Sequence, residues 1–276
     1  MPMGPTDRRR WRVTMAGEML RYEGRKRLRG SVYLSIAMSA LAALVIWVYP
    51  SFGSTFEGDE LLEAYPDQLL QLFDVRTMTS LEGFLAFELY AFGWIILLGL
   101  YVAYLAAGRI ASDIEHDRMD ILLSLPVSRA RTATELFGAL AVPIVVVNLL
   151  PPVVVFVGGQ AIGEPIAVAD LLAVHLLSIP YLFACAGIGL VASVALDRAD
   201  IAQRVALGVV FGLYLVESLL VGTDYEPVGV VAPSRHYDPN AILLDSNYDP
   251  VGTALLVVMT GVLLAVSVAW FRRRDL

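Results

Sequence analysis

The sequence has very few of the residues that usually carry covalent or metal chemistry: one cysteine and three histidines in 276 residues. Cys185, being alone, excludes a disulfide framework and a cysteine-based metal site within the chain. His116, His175 and His236 are far apart in the sequence and lack the HExxH spacing of a zinc site. We therefore expect no catalytic residue and no metal site on this chain.

The sequence also has only one lysine, which argues against a nucleotide-hydrolysing site. A phosphate-binding GxxxxGK[ST] loop needs a lysine followed by a hydroxyl residue, whereas Lys26 is followed by Arg27. The GxSxG motif of serine hydrolases is absent as well. The chain is therefore expected to bind no ATP and no other cofactor.

Charge is scarce for a chain of this length. Charged residues make up 17% of the sequence and hydrophobic residues 57%, with a mean hydropathy of +0.67. A soluble domain of this size needs more charge to cover its surface. The composition indicates an integral membrane protein, and the first apolar run, at about 20 residues, is long enough to span the bilayer instead of acting as a cleaved signal peptide.

Six apolar runs are each close to the length that a helix needs to cross the hydrocarbon core. They are Ser31 to Tyr49, Phe84 to Ala107, Leu136 to Val157, Leu171 to Leu196, Val205 to Gly222 and Val251 to Phe271. The predicted fold is an all-α polytopic membrane protein with one transmembrane domain, 1–276. Residues 1–30 form an N-terminal interfacial helix, 31–271 the six-span bundle, and 272–276 a tail.

Positive charges are concentrated on one predicted side of the membrane. Eighteen of the 20 lysines and arginines fall in residues 1–30, the loop at 108–135, the loop near 197–204 and the tail. The positive-inside rule therefore places both termini in the cytoplasm of a multi-pass protein of the cell membrane. The cations of residues 1–30 fit an interfacial helix lying on anionic lipid, and equally a basic flank that sets the topology.

The opposite side is acidic and carries only two cations, Arg76 and Arg235. Its loops at 50–83 and 223–250 hold 12 of the 27 acidic residues. This side is either a cation-collecting mouth or a solvated surface suited to high salt. Four prolines in the last loop predict short, broken helices against the ends of the spans, or an exposed cap.

The stretch from Arg109 to Glu135 is the most polar interruption between two spans. Its first half places apolar side chains on one helical face, at Ile110, Ile114, Ile121, Leu122 and Leu125. Pro126 ends that helix, and Ser128 caps a second helix that opens at Arg129. The pattern predicts an amphipathic helix outside the bilayer, which either docks on a partner or lies on the membrane surface.

Four polar residues fall inside the predicted spans, where such residues are costly. Glu88, His175 and Glu217 lie near the outer ends of spans two, four and five. Asn148, beside Pro143, Pro151 and Pro152, predicts an irregular third span. These four side chains either line a substrate path or pair locally.

The segment IEHDRMDILLSLPVSR resembles the signature of the ABC-2 type transporter permeases. Seven residues agree with that signature: Glu115, Asp120, Leu122, Leu123, Pro126, Ser128 and Arg129. Asp117 and Arg118 stand where the family usually has glycine and threonine. GEMLRYEGRKRLRGS, which contains Glu18, is similar to the family's entrance helix. Within the family, chains of this size resemble the permease of the system that matures the copper enzyme nitrous oxide reductase, as well as drug, sodium and lipid-linked exporters.

The resemblance implies a permease subunit that works in a homodimer or heterodimer beneath which two separate ATPase subunits dock. ATP and Mg²⁺ would be bound by those ATPases, and export would follow alternating access. The residues implied in coupling are Glu115, Asp120, Ile121, Leu122, Leu125, Pro126, Ser128 and Arg129. The competing hypothesis is a non-transporting scaffold or sensor whose cytoplasmic loop binds a partner. No nucleic acid partner is expected.

Overall fold

The computed structural model describes residues 17–55, 66–72, 74–116 and 128–274. Within them, six helices are long and apolar enough to cross a membrane. These helices, numbered span one to span six, are Glu18–Thr55, Leu81–Glu115, Arg129–Ile162, Val168–Ala195, Ala199–Leu220 and Pro250–Arg273. The prediction of an all-α, six-span membrane protein is confirmed.

Span one is a single helix of 38 residues. At 1.5 Å per residue it is about 57 Å long, well beyond the roughly 30 Å of a hydrocarbon core. Residues 18–30, which we predicted as part of an interfacial helix, therefore continue directly into the span and project from its end. The rest of that predicted helix, residues 1–16, lies outside the described residues.

Spans two and four form the centre of the bundle and are its most buried helices. Their backbones approach so closely that a Cβ added at Gly189 would lie 2.1 Å from the carbonyl oxygen of Ala103. One turn further along, the Ser193 hydroxyl accepts hydrogen bonds from the backbone N–H groups of Ile110 (2.9 Å) and Ala111 (3.1 Å). Small residues are what allow such close helix packing in a membrane.

Span two changes its helical geometry along its length. Ser80 caps its first turn by accepting from the Gly83 N–H at 3.2 Å, and the 13 residues Ala86–Leu98 then form a π-helix. Where the α-helix resumes at Gly99, the Tyr181 hydroxyl of span four donates to the Ile95 carbonyl at 2.8 Å. A π-helix has wider turns than an α-helix, so this segment presents its side chains at a different angular spacing.

Span three is broken into three helical pieces, Arg129–Gly138, Ala141–Val147 and Pro151–Ile162. The second break covers residues 148–150, between Val147 and the two prolines that open the last piece. Prolines lack an N–H and are tolerated in the first turn of a helix, so the chain restarts there. The predicted irregularity of this span is confirmed.

Because the number of spans is even, both described ends lie on one face of the bundle. We call this the basic face; it also holds the described ends of the loop between spans two and three, at residues 116 and 128, and the turn at 196–198. The acidic face, opposite, holds residues 66–80, 163–167 and 221–249. Its last loop folds into two short 3₁₀ turns, Glu226–Val231 and Pro233–His236, and one helix, Pro239–Asp245. This confirms the short broken helices, which pack on the bundle through the buried Tyr237, Ile242 and Leu243.

Candidate coupling surface and substrate path

The loop between spans two and three is described only at its two ends. Five predicted coupling residues, Asp120, Ile121, Leu122, Leu125 and Pro126, lie outside the described residues. The other three, Glu115, Ser128 and Arg129, are described. The amphipathic helix of this loop therefore stays a prediction, and the structure shows how the loop is attached.

The second leg of the loop begins at Ser128, as predicted. Its hydroxyl accepts from the Arg131 N–H at 3.3 Å, which satisfies one of the free donors of the first turn of span three. Arg131 also pairs with Glu135 at 2.6 Å. The Glu135 carboxylate in turn accepts from the backbone N–H groups of Gly17 (3.2 Å) and Leu20 (3.3 Å), which joins this leg to the start of span one.

Arg129 joins the same leg to the end of span six. Its guanidinium donates to the backbone carbonyl of Phe271 at 3.4 Å and to that of Arg274, and it lies 5.9 Å from the centre of the Phe271 ring. Carbonyl groups at a helix C-terminus have no partner within the helix and carry partial negative charge. A cation at this position therefore stabilises the end of span six.

The first leg of the loop is joined to span five. The Glu115 carboxylate accepts from the Ala199 N–H at 3.0 Å, at the first residue of that span. A carboxylate is favourable there because the N-terminal N–H groups of a helix are unpaired and carry partial positive charge. One turn and a half before Glu115, Arg109 forms an ion pair with Glu23 of span one. The residues at the two ends of the loop thus bind spans that they do not belong to: Glu115 binds span five, and Arg129 binds span six.

A buried set of uncharged polar side chains joins spans two, three and four at the break in span three. We call it the polar network; its members are Tyr90, Trp94, Asn148, His175 and Ser178. The Asn148 Oδ1 atom lies 3.0 Å from Trp94 Nε1, 2.9 Å from His175 Nδ1 and 3.1 Å from Ser178 Oγ. All five side chains are buried.

The hydrogen bonds of the polar network determine its protonation. Asn148 Nδ2 donates to the Ile144 carbonyl at 2.9 Å, so its Oδ1 atom is the acceptor for Trp94 and His175. The Ser178 hydroxyl has a second acceptor, the His175 carbonyl at 2.7 Å. His175 Nδ1 therefore carries a hydrogen, and because a charged imidazole is costly at this buried position, its Nε2 atom accepts from the Tyr90 hydroxyl at 3.1 Å. His175 is a neutral imidazole with both nitrogens paired.

Asn148 and His175 also contribute to the wall of a cavity of about 470 Å³ between spans three and four. The remaining walls are apolar, for example Val145, Leu149 and Leu176, all of which are exposed. The polar atoms of Asn148 and His175 already form hydrogen bonds within the polar network. The cavity thus offers mainly apolar contact.

A second cavity, of about 330 Å³, lies on the acidic face between spans two and five and the last loop. Its charged wall consists of Asp74, Arg76, Glu217, Arg235 and Asp238. Arg76 forms ion pairs with Asp74 (3.1 Å), Asp238 (2.6 Å) and Asp245 (3.3 Å). Arg235 pairs closely with Glu226 (2.7 Å) and more distantly with Glu217 (3.8 Å). We call this the acidic-face cavity.

Two carboxylates of the last loop are shifted in opposite directions. Burial raises the pKa of Asp238 above its ordinary value, and the neighbouring Asp74 acts in the same direction, against the opposing effects of the Ala241 N–H and Arg76. The hydrogen bond from Arg235 lowers the pKa of Glu226, which is partly exposed. The loop therefore contains one carboxylate for which charge is costly and one for which it is favourable.

Comparison with known proteins assigns the family. The sequence pattern of the ABC-2 family transporter proteins matches residues 27–276, most of the chain. The chain belongs to the ABC-2 transporter family. No curated protein matches it, so the similarity to the nitrous oxide reductase system stays a prediction. As members of this family are membrane subunits of ABC transporters, this chain is a membrane transport protein of the permease type.

The four predicted substrate-path residues of this ABC-2 family protein do not share one cavity. Asn148 and His175 meet in the polar network, and Glu217 lies on the wall of the acidic-face cavity. Glu88 is half-buried in the π-helical part of span two and makes no hydrogen bond or ion pair with any other described residue. Their roles in a substrate path stay predictions.

Sequence reasoning overlooked three members of the polar network, Tyr90, Trp94 and Ser178. A signal was present for Ser178, since it follows His175 by three residues and so shares its helical face. It also missed that Arg76 and Arg235, the only cations predicted on the acidic side, each pair with two or more carboxylates. Within the described part of the chain, no three His, Cys, Asp or Glu side chains come together as a metal site.

Proposed function

We propose that this protein is the transmembrane subunit of an ABC-2 type exporter, driven by a separate ATPase that docks on the loop between spans two and three. Family membership and the six spans support this function. The observation that carries it is the attachment of the loop: Glu115 fixes its first leg to span five, and Arg129 fixes its second leg to span six. A displacement of the loop would therefore be transmitted to spans two, three, five and six together.

Span five connects the proposed docking loop with the acidic-face cavity. Ala199, at its basic-face end, is held by Glu115, and Glu217, near its acidic-face end, lies on the wall of the acidic-face cavity. A rigid helix of 22 residues transmits a displacement from one end to the other. Closure of the ATPases around ATP and Mg²⁺ would thus alter the acidic-face cavity, as alternating access requires.

The orientation follows from charge. The basic face carries all described cations except Arg76 and Arg235, and the positive-inside rule places such a face in the cytoplasm, where an ATPase has access to ATP. Both termini are then cytoplasmic in the cell membrane. We further propose that two such subunits assemble into the transport unit, as membership of the ABC-2 family implies.

Affinity purification of the detergent-solubilised protein from its own cells tests this function. We expect a stoichiometric ATPase with a GxxxxGK[ST] motif to accompany the protein. Scrambling residues 117–127, while Glu115 and Arg129 are kept, should abolish the association. Leu122→Asp should reduce the recovered ATPase by about tenfold or more, because it places a charge in an apolar contact.

Met119→Asp is the matched control. Met119 lies roughly 130° around the helix from the centre of the predicted apolar face, so a charge there should disturb the association much less. Equal recovery of ATPase with Leu122→Asp and with the native chain would contradict the docking site. If a regulatory protein and no ATPase were recovered in several mild detergents, the scaffold hypothesis would replace the transporter.

A further inference from the structure

Spans five and six are the least buried helices of the bundle, and they leave a long groove against span four. The groove encloses about 740 Å³ and has almost entirely apolar walls. Each of the three helices contributes to it: Ile188 and Ala195 from span four, Val209 and Leu213 from span five, and Leu263 and Trp270 from span six. Such a groove fits an apolar chain lying along the helices.

A second cavity, of about 400 Å³, lies at the basic-face end of span six. Its walls are Val266, Ala269, Trp270, Arg273 and Arg274. Trp270, which is half-exposed, lines both this cavity and the apolar groove, so the two cavities lie next to each other along span six. The two cavities therefore form one site that is apolar along the span and cationic at its end.

The two arginines of this site differ in what they bind. Arg274 already has partners within the protein: it forms an ion pair with Asp197 and donates a hydrogen bond to the Val194 carbonyl at 2.6 Å. Arg273 is exposed and has no hydrogen bond or ion pair with any described residue. Among the described residues, no carboxylate lines the cavity. A free guanidinium in such surroundings is suited to an anion, and it can bind a phosphate through two parallel hydrogen bonds.

We propose that this site binds one anionic phospholipid. Its phosphate pairs with Arg273, and one acyl chain lies in the apolar groove past Trp270. A tryptophan at this level is typical of the membrane interface, where the headgroup and the acyl chain meet. A second copy of the chain is the other candidate occupant, but it would have to place an anion and an apolar ridge next to each other. A single phospholipid already has both, in its phosphate and its acyl chain. This inference goes beyond transport and needs neither ATP nor cargo.

Tryptophan fluorescence in nanodiscs tests the proposal, with brominated lipids as quenchers. The difference between the native chain and Trp270→Phe isolates the Trp270 signal from those of the other three tryptophans. We expect brominated phosphatidylglycerol to quench this signal at a mole fraction about fivefold lower than brominated phosphatidylcholine, since one surface arginine gives a preference of that order.

Arg273→Gln should remove this preference, and Arg272→Gln is its matched control. Arg272 is equally exposed at the end of the same helix, but it does not line the cavity. Val209→Phe, which fills the groove, should weaken quenching by both lipids. Val258→Phe, an exposed position outside the groove, should not.

Three results would overturn the proposal. Equal quenching of Trp270 by the two lipids would show that no anionic headgroup is bound. An equal loss with Arg272→Gln and Arg273→Gln would show a diffuse attraction instead of a site. A fall in particle mass from two subunits to one with Val209→Phe would assign the groove to a second copy of the chain.

Discussion

The polar network and the acidic-face cavity both arise from polar residues within apolar spans, yet they are built differently. The network contains only uncharged groups, is buried, and pairs both nitrogens of His175. The charged groups of the cavity come from three segments: residues 66–80, span five and the last loop. Among the described residues, Glu217 has one charged partner, Arg235 at 3.8 Å. A fully paired polar group stabilises a membrane fold, whereas a partly paired charge remains available to a ligand or a conformational change.

The position of the network shows what it stabilises. Asn148 lies at the second break of span three, where two prolines interrupt the helical hydrogen bonds. By accepting from side chains of spans two and four, Asn148 fastens the break to the two most buried helices. The network thus compensates for the irregular backbone of span three.

Asn148→Leu should have the largest effect on stability. It removes the acceptor that Trp94 and His175 share, and buried donors left without a partner are costly. Ser178 keeps the His175 carbonyl as an acceptor. We expect the free energy of unfolding to fall by about 2 kcal/mol, allowing for the small average worth of such bonds in membranes. Denaturant unfolding of the protein in detergent micelles would measure this change.

Thr260→Val provides the comparison for Asn148→Leu. The Thr260 hydroxyl donates only to the Leu256 carbonyl of its own helix, at 2.9 Å, so its removal should change stability by less than about 0.5 kcal/mol. If both variants lost the same stability, the polar network would have no special structural role.

Much of the fold was predictable from local sequence. The lengths of the apolar runs predicted the six spans, and the prolines around Asn148 predicted the breaks in span three. Ser128 predicted where the first helix of that span starts. These features depend on residues close together in the chain. The same holds for the short helices of the last loop, which follow its prolines.

The pairing of polar residues across spans was not predictable, because it depends on how each helix is rotated. Tyr90 and His175 are 85 residues apart in sequence. The π-helical segment of span two adds a further difficulty, since its wider turns defeat a 3.6-residue periodicity. The separation of Glu88 from Glu217, which the sequence placed at similar depth, reflects this same rotation.

Glu217→Gln tests the functional half of the comparison. The carboxylate has no close partner, so its loss should change the free energy of unfolding by less than about 1 kcal/mol. If the acidic-face cavity takes part in transport, the ATP hydrolysis rate of the complex with its ATPase should nevertheless fall several-fold. Glu226→Gln is the control, as it removes the closer but exposed partner of the same arginine. Equal losses of stability and hydrolysis with Glu217→Gln would instead assign Glu217 to packing.

The smallest expected effects concern pH, and they have opposite signs at Asp238 and Glu226. Because the folded pKa of Asp238 is raised, its contribution to stability is present below pH 3.8, its ordinary value, and is lost as the pH rises through the folded pKa. Because the folded pKa of Glu226 is lowered, its contribution is present above pH 4.5 and is lost as the pH falls through the folded pKa.

In the native chain, Asp238 lowers stability as the pH rises, and Asp238→Asn should abolish this decrease. Glu226 lowers stability as the pH falls, and Glu226→Gln should abolish that decrease. Unfolding measured in detergent from pH 3 upward to neutrality would give both profiles. Asn148→Leu removes no titratable group, so it should lower the whole profile without changing its shape. If Asp238→Asn and Glu226→Gln altered the profile in the same direction, the assignment of burial to one carboxylate and of ion pairing to the other would be wrong.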